Sequence, residues 1–269
     1  MLTNLQLLDI ANQKLLIGDL TDNELLEFCR VANERYRNGS PIISDENYDF
    51  IFIPELVKRL PENPFLQQVE NESTSFSEEK IKLPEKMLST DKAYSWEEIN
   101  KWLERITKFS EEINYPLNSI QIKGTAKLDG FAGFDDGVKL YTRGDGKKGS
   151  DISRVFERGL GIFNDSERGQ GPGEIVVKRS YFEKHLSNHF EYPRNFQASL
   201  IKEKELDKFA IDAIRNKAAL FVPFTQLPQW LGSINEFSDQ FLDIVNLLEA
   251  GVDFDIDGVV FEIENPELK

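Results

Sequence analysis

The spacing of apolar side chains changes at residue 119, and a chain that changes period in this way cannot fold as one kind of secondary structure. Before that point the spacing is helical. Leu25, Phe28, Cys29, Ala32 and Tyr36 fall at i, i+3, i+4, i+7 and i+11, one face of a helix. Ahead of them, Thr21-Asp22-Asn23-Glu24 forms a capping box, in which the Thr21 hydroxyl and the Glu24 carboxylate each satisfy an orphan N–H. A second box, Ser95-Trp96-Glu97-Glu98, opens a helix with Ile99, Trp102, Leu103 and Ile106 on one side. After residue 119, Ile120, Ile122, Gly124 and Ala126 alternate with Gln121, Lys123, Thr125 and Lys127, which predicts a half-buried strand. The alternation puts Thr125, Lys127 and Asp129 on its polar face. Helices first and strands later predict an α+β chain.

The remaining punctuation supports this division. Asn38-Gly39-Ser40-Pro41 breaks the first long helix. Ser44-Asp45 caps another that carries Tyr48 and Asp49, and Pro54 is expected to kink or end it. Residues 61–86, rich in Pro, Glu, Ser and Asn, read as a linker. Asp135-Asp136-Gly137 marks a hairpin between Phe131–Phe134 and Val138–Thr142. Further strands are expected at 173–178, 219–224 and 256–263, and helices at 180–188, 204–215 and 237–250.

Composition removes several function classes. Hydrophobic residues make up 40% of the 269 and charged residues 29%, enough for a packed core. No apolar run approaches the ~20 residues of a membrane span, and Met1 to Gln6 lacks signal-peptide character. Cys29 is the single cysteine, which excludes an intramolecular disulfide and a multi-cysteine zinc site and makes a cytoplasmic location the default. A net charge of −15 excludes coating nucleic acid by bulk charge.

Four constellations can carry chemistry. In Lys127-Leu128-Asp129-Gly130, a strand-face lysine becomes a nucleophile if its amine sheds a proton. By itself the segment also reads as an ordinary lysine–aspartate pair at a strand end. Thr142 to Asp151 combines three glycines with Arg143, Lys147 and Lys148, a composition that suits phosphate or a plain flexible loop. Gly173-Glu174 and Asp257-Gly258 each open an apolar strand and, taken singly, require no function. His185 and His189 have metal-capable spacing but no third ligand nearby, so a solvated helix face is the expectation.

Taken in order, these pieces resemble the NAD⁺-dependent DNA ligases. Lys127-Leu128-Asp129-Gly130 matches the nucleophile motif, and Thr142 to Gly149 matches the Thr-Arg-Gly-Asp-Gly-x-x-Gly segment. Gly173-Glu174 and Asp257-Gly258-Val259-Val260 match two further motifs. Pro193-Arg194-Asn195 and Met87-Leu88-Ser89-Thr90 match as well. Pro41 to Asp49 resembles the Pro-x-Ile-Ser-Asp-x-x-Tyr-Asp of the helical cap that binds the nicotinamide mononucleotide (NMN) half of NAD⁺. The resemblance implies a helical NMN-binding cap over residues 1–70. A nucleotidyltransferase core of antiparallel sheets flanked by helices, similar to an ATP-grasp ligase, would follow over 71–269.

It also implies roles. Lys127, Asp129, Arg143 and Glu174 would be catalytic, with Asp129 and Glu174 also serving Mg²⁺. Tyr36, Asp45, Tyr48 and Asp49 would hold the nicotinamide half. Ser89, Thr90, Thr125, Arg194 and Phe224 would complete the cofactor site, Phe224 by stacking on adenine. Lys127 would take AMP from NAD⁺ and pass it to the 5′-phosphate of a DNA nick. The alternatives are an NAD⁺-dependent RNA-end ligase and a non-catalytic NAD-binding subunit of a split ligase.

Several positions depart from the family pattern. Thr125 stands where a glutamate is usual, Pro172 and Ile201 stand in place of arginines, and Glu262 in place of a lysine that contacts AMP. A carboxylate there would repel phosphate by roughly 1 kcal/mol or more. The family's next catalytic strand and its DNA-clamping domains would lie past Lys269. The expectation is therefore weak nick sealing alone, and missing C-terminal domains or a second ligase subunit as partner.

Overall fold

The computed structural model describes residues 2–44, 47–67, 80–87 and 90–268. Its N-terminal part is helical: α1 (Asn4–Ala11), α2 (Asp22–Arg37), and a π turn over Tyr48–Phe52 that runs into α3 (Ile53–Arg59). Capping boxes start α1 at Thr3 and Gln6 and α2 at Thr21 and Glu24. The Thr21 bonds hold the Glu24 carboxyl below its ordinary pKa. Pro54 does not end a helix, as expected, but lies in the first turn of α3. Its missing N–H has no partner to lose there. These helices bury a cluster of their own around Ile10, Leu25, Phe28, Cys29, Phe52 and Leu56. The Phe28 and Phe52 rings are 4.6 Å apart at its centre.

Much of the expected linker, residues 68–79, lies outside the described residues. Its C-terminal end is pinned, because β1 (Ile81–Lys82) pairs with β5 (Lys148–Gly149). Ser95 then caps α4 (Trp96–Glu112) by accepting the Glu98 amide, but the expected box does not close, because the Glu98 carboxylate accepts the Tyr94 amide at 2.6 Å instead.

Two larger sheets follow. In the first, β2 (Gln121–Leu128) is the centre strand, flanked antiparallel by β9 (Gln229–Ser233) and β10 (Ile256–Ile263). The second has the order β4 (Leu140–Thr142), β3 (Phe131–Asp135), β7 (Gly171–Val177), β8 (Ala219–Pro223) and β6 (Gly161–Ile162). Its pairs are antiparallel, as expected, apart from the short parallel β6–β8 pair at one edge. The β3–β4 hairpin closes as expected, with Asp136 Oδ1 accepting the Val138 and Lys139 amides at 2.8 and 2.6 Å.

The longer helices of this half are α5 (Pro193–Lys202), α6 (Lys208–Arg215) and α7 (Ile234–Ala250), with a single helical turn at Arg154–Glu157. α6 starts later than the expected 204 because Asp207 is its cap, and α7 starts earlier than 237 because Ser233 and Glu236 form a capping box. The expected helix at 180–188 is a short α turn, Arg179–Tyr181, continued by a π turn, Phe182–Leu186.

The apolar side of the first sheet packs under α4 and α7 through Leu103, Ile106, Ile122, Phe237, Ile244 and Leu248. That leaves its polar side free to build a site. Leu128, Val176, Val222 and Phe254 pack together where the two sheets meet. Among the described residues no helix is long and apolar enough to cross a membrane.

Cys29 is fully buried, and burial pushes its thiol up to about 12. Alkylation of the native protein at pH 8 should therefore be slow and should rise with urea in step with unfolding of the N-terminal helices. Rapid alkylation without denaturant would contradict this packing. The folded thiol keeps its proton to about 12, whereas an unfolded one releases it near 9.0. Stability from Cys29 is thus present below pH 9 and lost as pH rises above it.

Candidate active site

The polar side of β2 presents Lys123, Thr125 and Lys127, as its alternation predicts. The register with β10 shifts between Ile256 and Gly258, a bulge at Asp257. Gly258, at φ 144°, supplies the backbone conformation that the shift requires. The Asp257 carboxylate forms an ion pair with the Lys127 ammonium. Burial raises the Asp257 pKa above its ordinary value, and the Lys127 charge opposes the rise. Asp257 is the main residue absent from the sequence-derived site, although its Asp-Gly motif was the available signal.

One step further along the chain, Asp129 closes a buried junction. Its Oδ1 accepts the Tyr36 hydroxyl at 2.5 Å and Arg194 Nη1 at 3.0 Å. Arg194 Nε donates to the Tyr36 carbonyl at 2.9 Å, and Nη1 also donates to the Gly130 carbonyl. The guanidinium carbon lies 3.9 Å from the Tyr36 ring centroid and 4.6 Å from that of Phe131. Around it, Asn195 Nδ2 donates to the Gly39 carbonyl at 3.0 Å and the Lys202 ammonium donates to that of Asn38. Helix α2, helix α5 and the end of strand β2 thus meet at one point. Gly130 must be glycine, since a Cβ there would sit 2.3 Å from the Ile175 carbonyl oxygen and 2.7 Å from Glu174 Cγ. The Lys-x-Asp-Gly and Gly-Glu motifs are therefore neighbours in space.

Behind Asp129, its amide donates to the Asp255 carbonyl at 2.8 Å. The Asp255 carboxylate accepts Arg179 Nε at 3.1 Å. Burial raises the Asp255 pKa, against the pull of Arg179. Neither residue was legible as part of the site.

The glycine-rich loop is held rather than loose. Arg143 Nε donates to the Met87 carbonyl at 3.1 Å, and the Met87 amide donates to the Gly146 carbonyl at 2.9 Å. Asp145 Oδ1 accepts the Lys147 and Lys148 amides at 2.8 and 2.6 Å. From the N-terminal helices, Asp49 accepts Lys92 Nζ at both carboxylate oxygens, at 2.9 and 3.0 Å, and the Tyr94 hydroxyl at 3.4 Å. Burial lowers the Lys92 pKa, but Asp49 outweighs it and the net shift is upward. Nothing in the sequence around Lys92 marked it as part of the site.

Other candidates are less central. Tyr48 packs against the N-terminal core, its hydroxyl donating to the Cys29 carbonyl at 3.3 Å. Thr90 is exposed, and Phe224, partly exposed, heads a 3₁₀ turn after β8. Asp45 and Ser89 lie outside the described residues. His185 stacks on Tyr181 and His189 on Phe209, with centroids 4.5 and 4.2 Å apart. Among the described residues no three His, Cys, Asp or Glu side chains gather as a metal cage.

The departures from the family pattern also find places. Glu262 lies opposite Lys123 in register and pairs with its ammonium at 2.5 Å; the same ammonium lies 3.4 Å from Glu264, so it offsets the two carboxylates only in part. Ile201 is fully buried in the main core, and Pro172 faces Phe134 across the β3–β7 ladder. Thr125 pairs with Val260 and Gln229.

A lysine on an open sheet face, ion-paired with an aspartate at a bulge of the neighbouring strand, is an arrangement suited to an amine nucleophile. The family model for the NAD-dependent DNA ligase adenylation domain matches residues 74–216, more than half of the chain. The chain belongs to that family. A protein named DNA ligase from Ruthia magnifica subsp. Calyptogena magnifica is 61% identical over 253 residues, 94% of this chain and 41% of the relative. Another, from Vesicomyosocius okutanii subsp. Calyptogena okutanii, is 60% identical over 97% of this chain and 41% of the relative. A third, from Desulfotalea psychrophila, is 49% identical over 98% of this chain and 39% of the relative. The chain spans about two fifths of the length of these relatives.

Arg194→Ala should destabilise the fold by about 3 kcal/mol in urea titrations, because it leaves the Asp129 charge half-buried and unpaired. Arg194→Lys should recover only part of this, since an ammonium cannot serve both carbonyls, the carboxylate and two rings together. Equal stability of Arg194→Ala and wild type would show that the junction contributes nothing.

Proposed function

We propose that this chain carries out the self-adenylation step of an NAD⁺-dependent DNA ligase. The observation that carries the reading is the Lys127–Asp257 pair on the open face of β2. Lys127 must lose a proton before its Nζ can attack phosphorus. Asp257 already holds that proton's hydrogen bond, and its raised pKa makes it a better acceptor than an ordinary aspartate. Nζ then bonds to the α-phosphorus of NAD⁺, the bond from that phosphorus to the bridging oxygen breaks, and the electron pair leaves with NMN. Lys127 is left carrying AMP through a phosphoramidate.

In this reading residues 1–70 form the cap for the nicotinamide half, and 71–269 form the nucleotidyltransferase core. Tyr36, Asp45, Tyr48 and Asp49 serve the cap side. Ser89, Thr90, Thr125, Arg194 and Phe224 serve the adenosine side, and Arg143 serves the phosphates. Asp129 is chiefly an anchor, because its Oδ1 is committed to Tyr36 and Arg194. The described carboxylates form no three-ligand cage. That suits Mg²⁺, which keeps several waters and binds through one or two carboxylates plus substrate phosphates. Glu174 and Asp129 are the carboxylates proposed to reach it, and when bound it would stabilise charge on the transferred phosphate.

The AMP then passes to the 5′-phosphate at a nick, and the 3′-hydroxyl displaces it. The relatives named DNA ligase support DNA as the nucleic acid. A chain at −15 would bind that DNA weakly, so further domains or a second subunit are proposed as partners, in the cytoplasm.

Intact-mass spectrometry after incubation with NAD⁺ and Mg²⁺ should show one added AMP. The adduct should be absent with ATP and absent in Lys127→Ala. Asp257→Asn should slow its formation by about 10²–10⁴-fold. In wild type the rate should fall as pH drops through an Asp257 midpoint above the usual aspartate range, because the protonated carboxyl no longer accepts. An adduct that survives Lys127→Ala would overturn the assignment.

A further inference from the structure

Lysines elsewhere in this acidic chain stand beside a carboxylate, as Lys139 does with Asp151 at 3.0 Å and Lys217 with Asp165 at 2.6 Å. The ribbon formed by β1 and β5 departs from this. Lys82 and Lys148 are both exposed and lie directly opposite one another in its antiparallel register. Side chains so placed share a face with Cβ atoms about 5 Å apart, and like charges there destabilise the pairing. Strand alternation puts Lys80 on the same face, where its Nζ donates to Ser150 Oγ at 3.3 Å. Lys86 and Lys147, also exposed, flank the paired residues. Among the described residues no carboxylate lies within ion-pair distance of Lys82, Lys86, Lys147 or Lys148. Residues 80–87 and 143–150 together hold six basic side chains against two acidic ones, Glu85 and Asp145, in a chain of net charge −15.

The backbone that carries these charges is fixed. Ile81 and Leu83 turn inward and pack with Met87, Phe134 and Tyr141. The Leu83 amide donates to the Lys147 carbonyl at 2.9 Å, and the amide of buried Ser150 donates to Thr142 Oγ1 at 3.0 Å. Gly149 leaves no room for a side chain, since a Cβ there would sit 1.8 Å from the Thr142 carbonyl oxygen. The loop between β4 and β5 also ties the ribbon to the segment that follows Lys127. The Arg143 amide donates to the Ala132 carbonyl at 3.0 Å. From Lys127 to Ala132 the chain can span at most ~18 Å.

Exposed lysines held close together without carboxylate partners call for an anion from outside the chain. A compact anion needs donors that converge. Here the lysines are spread, about 7 Å apart along the strand from Lys80 to Lys82 and about 5 Å apart across the ribbon. Phosphates repeated along a polymer suit such a spread, and flexible ammonium groups contact them without reading base sequence. This inference rests on the proposed ligase reading, in which the polymer is nicked DNA. We propose that the outer face of the β1–β5 ribbon, with Lys82 and Lys148 at its centre, holds the phosphate backbone of that DNA. The net charge of −15 does not prevent this, because charges beyond a Debye length, about 10 Å at 0.1 M salt, are largely screened. The ribbon supplies the local attraction that the chain as a whole lacks.

Fluorescence anisotropy of a nicked DNA duplex, followed from about 50 to 200 mM salt, tests this. Each phosphate contact contributes a slope of about 0.9 in log Kobs against log salt, so combining Lys82→Gln with Lys148→Gln should reduce the slope by nearly two. Lys82→Glu should weaken DNA binding further while leaving Tm unchanged or raised, because a glutamate opposite Lys148 replaces repulsion with an ion pair. Loss of binding without loss of stability separates a contact surface from a structural brace. In Lys82→Gln the AMP adduct from NAD⁺ should form at the wild-type rate. An unchanged salt slope in the double variant would overturn the proposal. So would a slower adduct in Lys82→Gln with DNA binding intact, since the phosphates met there would be those of NAD⁺. If the wild type forms the adduct but binds no DNA at the lowest salt, the ribbon proposal fails and the adenylation reading stands. If no adduct forms and the double variant still loses the slope, the adenylation reading fails and the surface stands.

Discussion

The buried guanidinium of Arg194 joins three parts of the chain that are distant in sequence. It grips the end of helix α2 through the Tyr36 carbonyl and ring, and the end of strand β2 through Asp129 and the Gly130 carbonyl. A planar cation suits this place because it donates in several directions in one plane while its faces lie on aromatic rings. Burying such a charge is costly unless every donor finds an acceptor, and the surrounding carbonyls and carboxylate supply them. The position of the N-terminal helices over the sheet follows from this satisfaction of one charge. The site opens along the same seam.

On the other side of the seam the sheet face is organised by charge. Two ion pairs cross from β2 to β10, Lys127 with Asp257 and Lys123 with Glu262. The bulge at Asp257 makes the first pair possible by re-aiming a carboxylate that a regular ladder would turn elsewhere. The second pair shows what meets the carboxylate that departs from the family pattern. A carboxylate alone on the polar face would repel an anion, and Lys123, shared with Glu264, offsets part of that charge.

Local patterning made much of the fold legible. The capping box at Thr21 and the Ser95 cap start helices where their spacing requires, and the alternation around Lys127 separates a buried face from a polar one. The misses share a cause. Pro54 reads as a breaker until the neighbouring turn shows that it begins a helix. Ile201 reads as a lost arginine until its burial shows it to be a core residue. Lys92 and Asp257 gain their importance from partners outside their own segments, Asp49 and Lys127 respectively. Short-range spacing carries no record of such contacts.

The sequence by itself determined the α+β character, the polar face that bears Lys127, and the order of motifs that marks the family. Each depends on near neighbours along the chain, where helix and strand periods are local geometric facts. Only the tertiary structure decided which carboxylate meets Lys127, that Asp129 is tied to Tyr36 and Arg194, and that Glu262 pairs with Lys123. Those outcomes depend on strand register and on where helices dock, and burial makes them consequential: a charge placed out of water must find a partner, and only the folded chain brings one within reach.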